Sequence, residues 1–335
     1  MNDTILEARG LSVSFDVGGR ALKAVDGVDF TLRRGEVLAV VGESGSGKSA
    51  MAMSLVGLNR GPATTIAGDV QFGGRNLIDA SASQLRRIRG EEIAMVFQDA
   101  LAALNPLQRV GNQIGEMIRE HHAVSRADAW TRSEALLADV GIPRAAEASH
   151  RYPHEFSGGM RQRVMTAIAL ANDPKVLIAD EPTTALDVTI QAQVLALLQR
   201  LKEEHGAAII FITHDLGVVA EIADRVIVMY AGRIVEQGTR DQVLYAPQHP
   251  YTWGLLGSMP RVDGPRADRL RAIPGTPLTG VDRPEGCAFA PRCRYAHDAC
   301  GRRPELRQRA GQPDHLDACV LSDDAKAAAG RQEVA

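Results

Sequence analysis

Between Gly42 and Ser49 the chain reads GESGSGKS, a run of small residues that breaks into one long cation. Gly42, Gly45 and Gly47 leave backbone N–H groups accessible, so several amides can converge on one anion. A helix starting near Lys48 adds the positive end of its dipole. The pattern G-x-x-x-x-G-K-S suits a polyphosphate, with Lys48 reaching the β and γ phosphates and the Ser49 hydroxyl ligating Mg²⁺. Further along, the run VLIADE (176–181) ends in two adjacent acids. Asp180 can hold the water shell of the metal while Glu181 orients or deprotonates an attacking water. Gln98 closes EEIAMVFQ and His214 closes AAIIFITH. At the carboxyl end of a core strand the glutamine oxygen can ligate Mg²⁺ or orient water, and the imidazole can reach a γ phosphate. Ser157, Gly158 and Gly159 place a hydroxyl and bare amides before a long helical run, which is a second anion site.

These groups need a scaffold, and the surrounding periodicities describe one. EVLAVV (36–41) predicts the strand before the phosphate loop and SAMAMSLVGL (49–58) the helix after it, the order that such a loop requires. ARGLSVSF alternates and predicts an early strand with Leu11, Val13 and Phe15 on one face. Phe15 is either a core ring or an adenine-stacking one. GDVQFGGRNL (68–77) reads as a hairpin. Val110, Ile114, Met117, Ile118 and His121 repeat at helical spacing, and AWTRSEALLADVGIP (129–143) carries another helix that Gly141 and Pro143 end.

Bulk properties narrow the class. A chain of 335 residues with 45% hydrophobic residues can bury a large core, and its net charge of −3 argues against a broad nucleic-acid footprint. The longest apolar runs, such as AAIIFI (207–212), are strand-sized, well short of the roughly 18 residues of a membrane helix. The start MNDTILEARG lacks the basic and apolar regions of a secretory signal, so the chain is expected in the cytosol.

In this order the pieces resemble the ATP-binding-cassette ATPase family: phosphate loop, Gln98, an inserted helical segment, Ser157-Gly158-Gly159, Asp180-Glu181, Ala185-Leu186-Asp187 and His214. The resemblance implies an α/β P-loop NTPase core with an antiparallel β subdomain and a helical subdomain at about 99–165, within a nucleotide-binding domain spanning 1–244. It implies that the run Gly42, Glu43, Ser44, Gly45, Ser46, Gly47, Lys48, Ser49 and Ala50 binds ATP and that Phe15 stacks on adenine. Gln98 would sense metal and partner, Asp180 would hold Mg²⁺ through water, Glu181 would be the general base and His214 would contact the γ phosphate. In the family, Ser157 to Gly159 bind the nucleotide of the opposite subunit and Asp187 lies at that interface, which implies a head-to-tail dimer. The common signature L-S-G-G-Q is here Phe156-Ser-Gly-Gly-Met160, so the contact of the usual glutamine is in question.

FSGGMRQRV and QDALAALNP are closer to the D-type ATP-binding subunit of dipeptide and oligopeptide permeases than to its F-type partner. This implies a heterodimer with an F-type subunit, two membrane-spanning permease subunits and an extracytoplasmic solute-binding protein. The chain would sit peripherally on the cytoplasmic face of the inner membrane, with no nucleic acid involved. The rival is a soluble cassette ATPase acting on DNA or the ribosome. It would need a long coiled coil between the halves of the site or a second cassette, and the sequence has neither.

From Tyr245 the composition changes, since ten of the sixteen prolines follow it, and long regular elements are disfavoured. Residues 245–335 are read as an irregular extension. Cys287, Cys293, Cys300 and Cys319 all lie here, which in a cytosolic chain suggests a metal site; iron–sulfur and zinc are both open from the spacing, and Arg292 and Arg294 would suit an anionic cluster. HPYTWGLLGSMP and GCAFAPRCRYAHDAC resemble the C-terminal extension of peptide-permease ATPases, which implies a [4Fe–4S] cluster as the staple. The tail SDDAKAAAGRQEVA is expected to be disordered.

Overall fold

Apolar runs of five residues form the framework. Val37–Val41 and Val176–Asp180 are buried along their whole length, as strands covered on both faces must be. The computed structural model describes residues 3–184, 187–259, 272–278, 283–309 and 311–334. Ala185 and Leu186 of the expected Ala-Leu-Asp motif lie outside the described residues. The chain divides into two units that interleave along the sequence. One contains Leu32–Val37 and Asp79–Ile212, the other Leu6–Thr31, Leu38–Ile78 and the chain from Thr213 onward.

In the first unit three parallel strands, Ile93–Val96, Val176–Asp180 and Ala208–Ile212, pair with the second in the middle; Ile93 lies opposite Val176, and Val176 opposite Ala208. From Ala100 to Leu170 its regular structure is helical. Val110, Ile114 and Ile118 of helix Val110–His121 form a buried stripe against Ala129 and Leu137 of helix Arg126–Asp139 and Val164 of helix Gly158–Leu170. Met117 and His121, at the edge of the stripe, are half-buried. Ser125 begins the second of these helices, its Oγ accepting the Asp128 N–H at 3.1 Å, which satisfies one of the amides a helix start leaves without a partner.

The second unit has an antiparallel sheet ordered Arg20–Arg33, Thr4–Val17, Thr64–Phe72, Arg75–Asn76. Alternation is as expected: Leu11 and Val13 are fully buried and Phe15 is half-buried. Phe72 pairs with Arg75 across Gly73 and Gly74, whose φ angles of 54° and 76° make the turn that suits strand twist. Strands Val37–Val41 and Arg225–Tyr230 run parallel, with Val41 opposite Val228. Arg233–Thr239 then adds antiparallel to Arg225–Tyr230.

The extension is less irregular than proline content suggests. Strand Gln312–Asp317 pairs with Arg233–Thr239, so residues near the C-terminus continue a sheet of the core. Tyr251 and Phe289 pack on Tyr230 with ring centroids 4.7 and 5.3 Å away. Glu236 is fully buried and fully engaged. Its Oε1 accepts from the Gln248 amide at 2.7 Å and stands 2.8 Å from His315 Nε2, and its Oε2 accepts from the His249 amide at 2.9 Å and Thr252 Oγ1 at 2.6 Å. A buried carboxylate survives only with such partners. The tail is not disordered: residues Asp323–Val334 form a helix, fixed by Lys326 Nζ donating to the buried Asp317 Oδ1 at 2.6 Å. The sequence hid this because the partner carboxylate lies in a strand outside the helix.

Candidate functional site

The phosphate loop leaves strand Val37–Val41 and enters helix Lys48–Leu55 as the sequence requires. Its glycines are demanded by the geometry. At Gly42, with φ 152°, a Cβ would lie 2.2 Å from the Met229 carbonyl oxygen and 2.8 Å from Ser46 Oγ; at Gly47, with φ 101°, it would lie 2.4 Å from the Ala24 oxygen. Gly45 has φ 79° but open space around it, so it serves the turn alone. Lys48 is buried, and its Nζ donates to the Gly42 oxygen at 2.7 Å and the Glu43 oxygen at 3.0 Å. An ammonium bracing its own loop beside a helix N-terminus fits a polyphosphate. Not every loop amide is bare, however. Glu43 N–H donates to Tyr251 Oη at 2.8 Å and Ser46 N–H to the Glu43 oxygen at 3.2 Å.

Glu43 has a partner the sequence did not suggest. Arg292 grips its carboxylate with both arms, Nη1 to Oε2 at 2.6 Å and Nη2 to Oε1 at 3.0 Å. The 249 residues separating them leave no local pattern to find. Asp26, sixteen residues before Gly42, gathers Lys23 at 2.5 Å, Arg233 at 2.7 Å, Arg283 at 3.0 Å and Arg303 at 3.5 Å. Although burial opposes its charge, the Lys23 and Arg233 contacts hold its carboxyl well below the usual range. His214 is exposed, just beyond buried Thr213, whose N–H donates to the Val40 oxygen at 3.2 Å.

In the other unit, strand Val176–Asp180 delivers the acid pair. Asp180 is 4% exposed, and a carboxylate this buried suits the water shell of a divalent cation. Glu181 sits at φ 50°, a region L-residues avoid, and its amide donates to the Ile212 oxygen at 2.9 Å. That strain is the mark of a side chain aimed by its backbone. Glu181 Oε2 accepts from Gln98 Nε2 at 2.9 Å and from Thr184 Oγ1 at 2.9 Å. Gln98 is therefore brought to the expected base, and Thr184 joins it unannounced by the sequence.

Ser157 caps helix Gly158–Leu170, its Oγ accepting the Met160 N–H at 3.4 Å. Ser157 and Gly158 are exposed and a Cβ on Gly158 would meet nothing, so this turn faces outward. Met160 packs on the helical core, which accounts for an apolar side chain at the departing signature position. Asp187 is exposed and caps helix Val188–His205, its Oδ1 accepting the Ile190 N–H at 2.9 Å.

The expectation of a [4Fe–4S] cluster or zinc at Cys287, Cys293, Cys300 and Cys319 is corrected. The four line one small, mainly apolar cavity, yet among the described residues no three His, Cys, Asp or Glu side chains are arranged to hold a metal ion. All four are free thiols. Burial raises Cys287, pushes Cys293 up to about 11 and Cys319 up to about 12, as expected of thiols in apolar surroundings. Arg292, expected beside an anionic cluster, serves Glu43. The extension is held by strand pairing, the Glu236 hub and aromatic packing.

Residues 25–184 match the ABC transporter family and residues 235–300 the oligopeptide/dipeptide transporter C-terminal region. The chain is 52% identical over 295 residues to the dipeptide transport ATP-binding protein DppD of Lactococcus lactis subsp. cremoris (strain MG1363), covering 88% of this chain and 84% of that one. It is 49% identical over 319 residues to the oligopeptide transport ATP-binding protein OppD of Salmonella typhimurium (strain LT2), covering 95% and 93%. Among solved structures, a dimeric post-hydrolysis state of the ATP-binding cassette MJ0796 bound to ADP and Pi matches with a TM-score of 0.65 and 27% identity, over 70% of this chain and 98% of that one.

Proposed function

The chain belongs to the ABC transporter family of ATPases, and from that premise we propose that it powers an importer of dipeptides, oligopeptides or related solutes. Its activity is ATP hydrolysis with Mg²⁺. The observation that carries the solute class is the match to a peptide-transporter C-terminal region behind the cassette, which a DNA- or ribosome-directed cassette has no reason to carry.

The roles follow from residue chemistry. Phe15 stacks on adenine, and Gly42 through Ala50 cradle the phosphates, with Lys48 countering their charge. Ser49 and Gln98 would hold Mg²⁺ directly, and Asp180 would do so through water. Bound ATP supplies a phosphoanhydride whose cleavage needs positioning and charge stabilisation more than covalent help. Glu181, oriented by Gln98 and Thr184, takes the proton of the attacking water, and His214 contacts the γ phosphate. The outward-facing Ser157 and Gly158, together with Gly159, complete the site of a second ATPase subunit, and Asp187 lies at that contact. An F-type subunit is the proposed partner, so that closure on ATP and parting after hydrolysis move two membrane-spanning subunits.

Among the described residues no helix is long and apolar enough to cross a membrane, so the spanning parts are assigned to those partners. Leu101 and Leu107, 58% and 85% exposed a few residues beyond Gln98, suit a docked apolar partner surface. The proposed place is peripheral, at the cytoplasmic face of the inner membrane, with solute delivered by an extracytoplasmic binding protein. We assign residues 1–244 to the nucleotide-binding domain and 245–335 to the extension. The test is reconstitution in proteoliposomes with an F-type ATPase, its permease subunits and binding protein: peptide should stimulate ATP turnover. Turnover indifferent to peptide, with nucleic acid or ribosomes co-purifying instead, would overturn the importer reading.

A further inference from the structure

We infer that Arg292 and Tyr251 position the phosphate loop through Glu43, making the C-terminal extension part of what sets nucleotide affinity. Glu43 is the first residue after the conformationally demanding Gly42, and it is tied in two directions. On the loop side its carbonyl accepts from Lys48 Nζ at 3.0 Å and from the Ser46 amide at 3.2 Å. On the extension side its carboxylate takes the two arms of Arg292, and its amide donates to Tyr251 Oη at 2.8 Å. A displacement of Glu43 therefore moves an acceptor of the lysine that must face the phosphates.

The grip is too well fixed to be an incidental surface pair. The Arg292 side chain is 3% exposed and that of Glu43 24%. Arg292 Nε donates to the Pro274 oxygen at 2.8 Å, Nη1 approaches Tyr230 Oη at 3.4 Å and Nη2 approaches the Ile273 oxygen at 3.4 Å. Its guanidinium carbon stands 5.8 Å from the Tyr230 ring centroid and 5.9 Å from that of Phe289. Tyr251 is fully buried, and with its phenol accepting from Glu43 it offers the loop a rigid stop. A forked, stacked arginine fixes direction as well as charge, so lysine cannot replace it fully. Neither Arg292 nor Tyr251 is assigned a contact with nucleotide; both act as positioning residues.

The inference rests on the ATPase reading, and a double-mutant cycle separates the two. Mg-ATP affinity would be measured by calorimetry on full-length wild type, Arg292→Gln, Glu43→Gln, the double variant, Arg292→Lys and the milder Tyr251→Phe, with melting followed alongside. In the assembled transporter KM and kcat would be compared. Arg292→Gln and Glu43→Gln should each weaken binding about tenfold, with KM rising similarly, and for Arg292→Gln saturated kcat should change by less than about twofold. The double variant should be no worse than the weaker single one, Arg292→Lys should recover part of the loss, and Tyr251→Phe should lose about threefold without unfolding. If the extension merely anchors itself, melting would fall while affinity stayed wild-type. That result, or strictly multiplicative losses in the double variant, would overturn the inference; wild-type protein that binds no nucleotide would instead defeat the ATPase reading.

Discussion

Replacing Gly42 by alanine puts the geometry of the phosphate loop to a quantitative test. The added methyl would stand 2.2 Å from the Met229 carbonyl oxygen, whereas carbon and oxygen settle at about 3.3 Å or more, so one backbone must retreat by about 1 Å. Met229 lies in strand Arg225–Tyr230, whose pairing with Val37–Val41 resists that retreat. Overpacking of this kind costs about 1–3 kcal/mol and the positive φ about 1–2 kcal/mol more, for a total of about 2–5 kcal/mol. A catalytic geometry misplaced by about 1 Å loses on the order of a hundredfold. Gly47→Ala should behave alike, with its methyl 2.4 Å from the Ala24 oxygen, whereas Gly45→Ala, with nothing within 4 Å, should show only the strain of its turn, about 1 kcal/mol. Calorimetric melting with and without Mg-ATP gives the losses of stability and binding, and turnover in the assembled transporter gives the catalytic loss. A Gly42→Ala protein that melts and binds like Gly45→Ala would refute the steric argument.

Glu181→Gln keeps an oxygen for Gln98 and Thr184 but cannot take a proton, so ATP binding should persist while turnover falls about 10²–10⁴-fold; wild-type turnover in the assembled transporter would remove Glu181 as the base. Lys326→Ala strands the buried Asp317 carboxylate and should cost about 3–5 kcal/mol in chemical unfolding, largely recovered on adding Asp317→Asn; an unchanged midpoint would show that the helix is dispensable. His249 is buried and its pKa is lowered to about 3, so the unfolded chain binds the proton first as pH falls. Stability is full above the unfolded value of about 6.5 and drops by about 1 kcal/mol between pH 7.5 and 5.5, and His249→Gln should flatten that slope.

What the sequence made legible was local. Gly42 to Ser49 announced their turn because spacing and residue type both follow from binding one anion, and VLIADE announced its carboxylates because apolar residues led straight into them. Helix Val110–His121 was visible in its fourfold spacing. The Glu43–Arg292 pair was not, because its partners meet only after the whole chain has folded, and nothing in either neighbourhood requires the other. The cysteines misled for the opposite reason: clustering in sequence suggested a ligand set, whereas among the described residues no three such side chains are arranged to hold a metal ion. The final helix was misjudged from an exposed-looking composition, since the burial of Lys326 depends on Asp317 in another element.

The span between Glu43 and Arg292 also sets an order in time. At about 5–20 residues per second, the ribosome needs about 10–50 s to add the 249 residues that separate the loop from its arginine. During that interval the nascent chain possesses every residue of the phosphate loop yet lacks the clamp that braces it. A shorter wait, about 4–16 s at the same rate, applies to the core sheet edge at Arg233–Thr239, which meets Gln312–Asp317 about 80 residues later. On the inference above, firm capture of nucleotide waits for Arg292, and a chain cut between the loop and that arginine is expected to bind ATP more weakly than one that carries it.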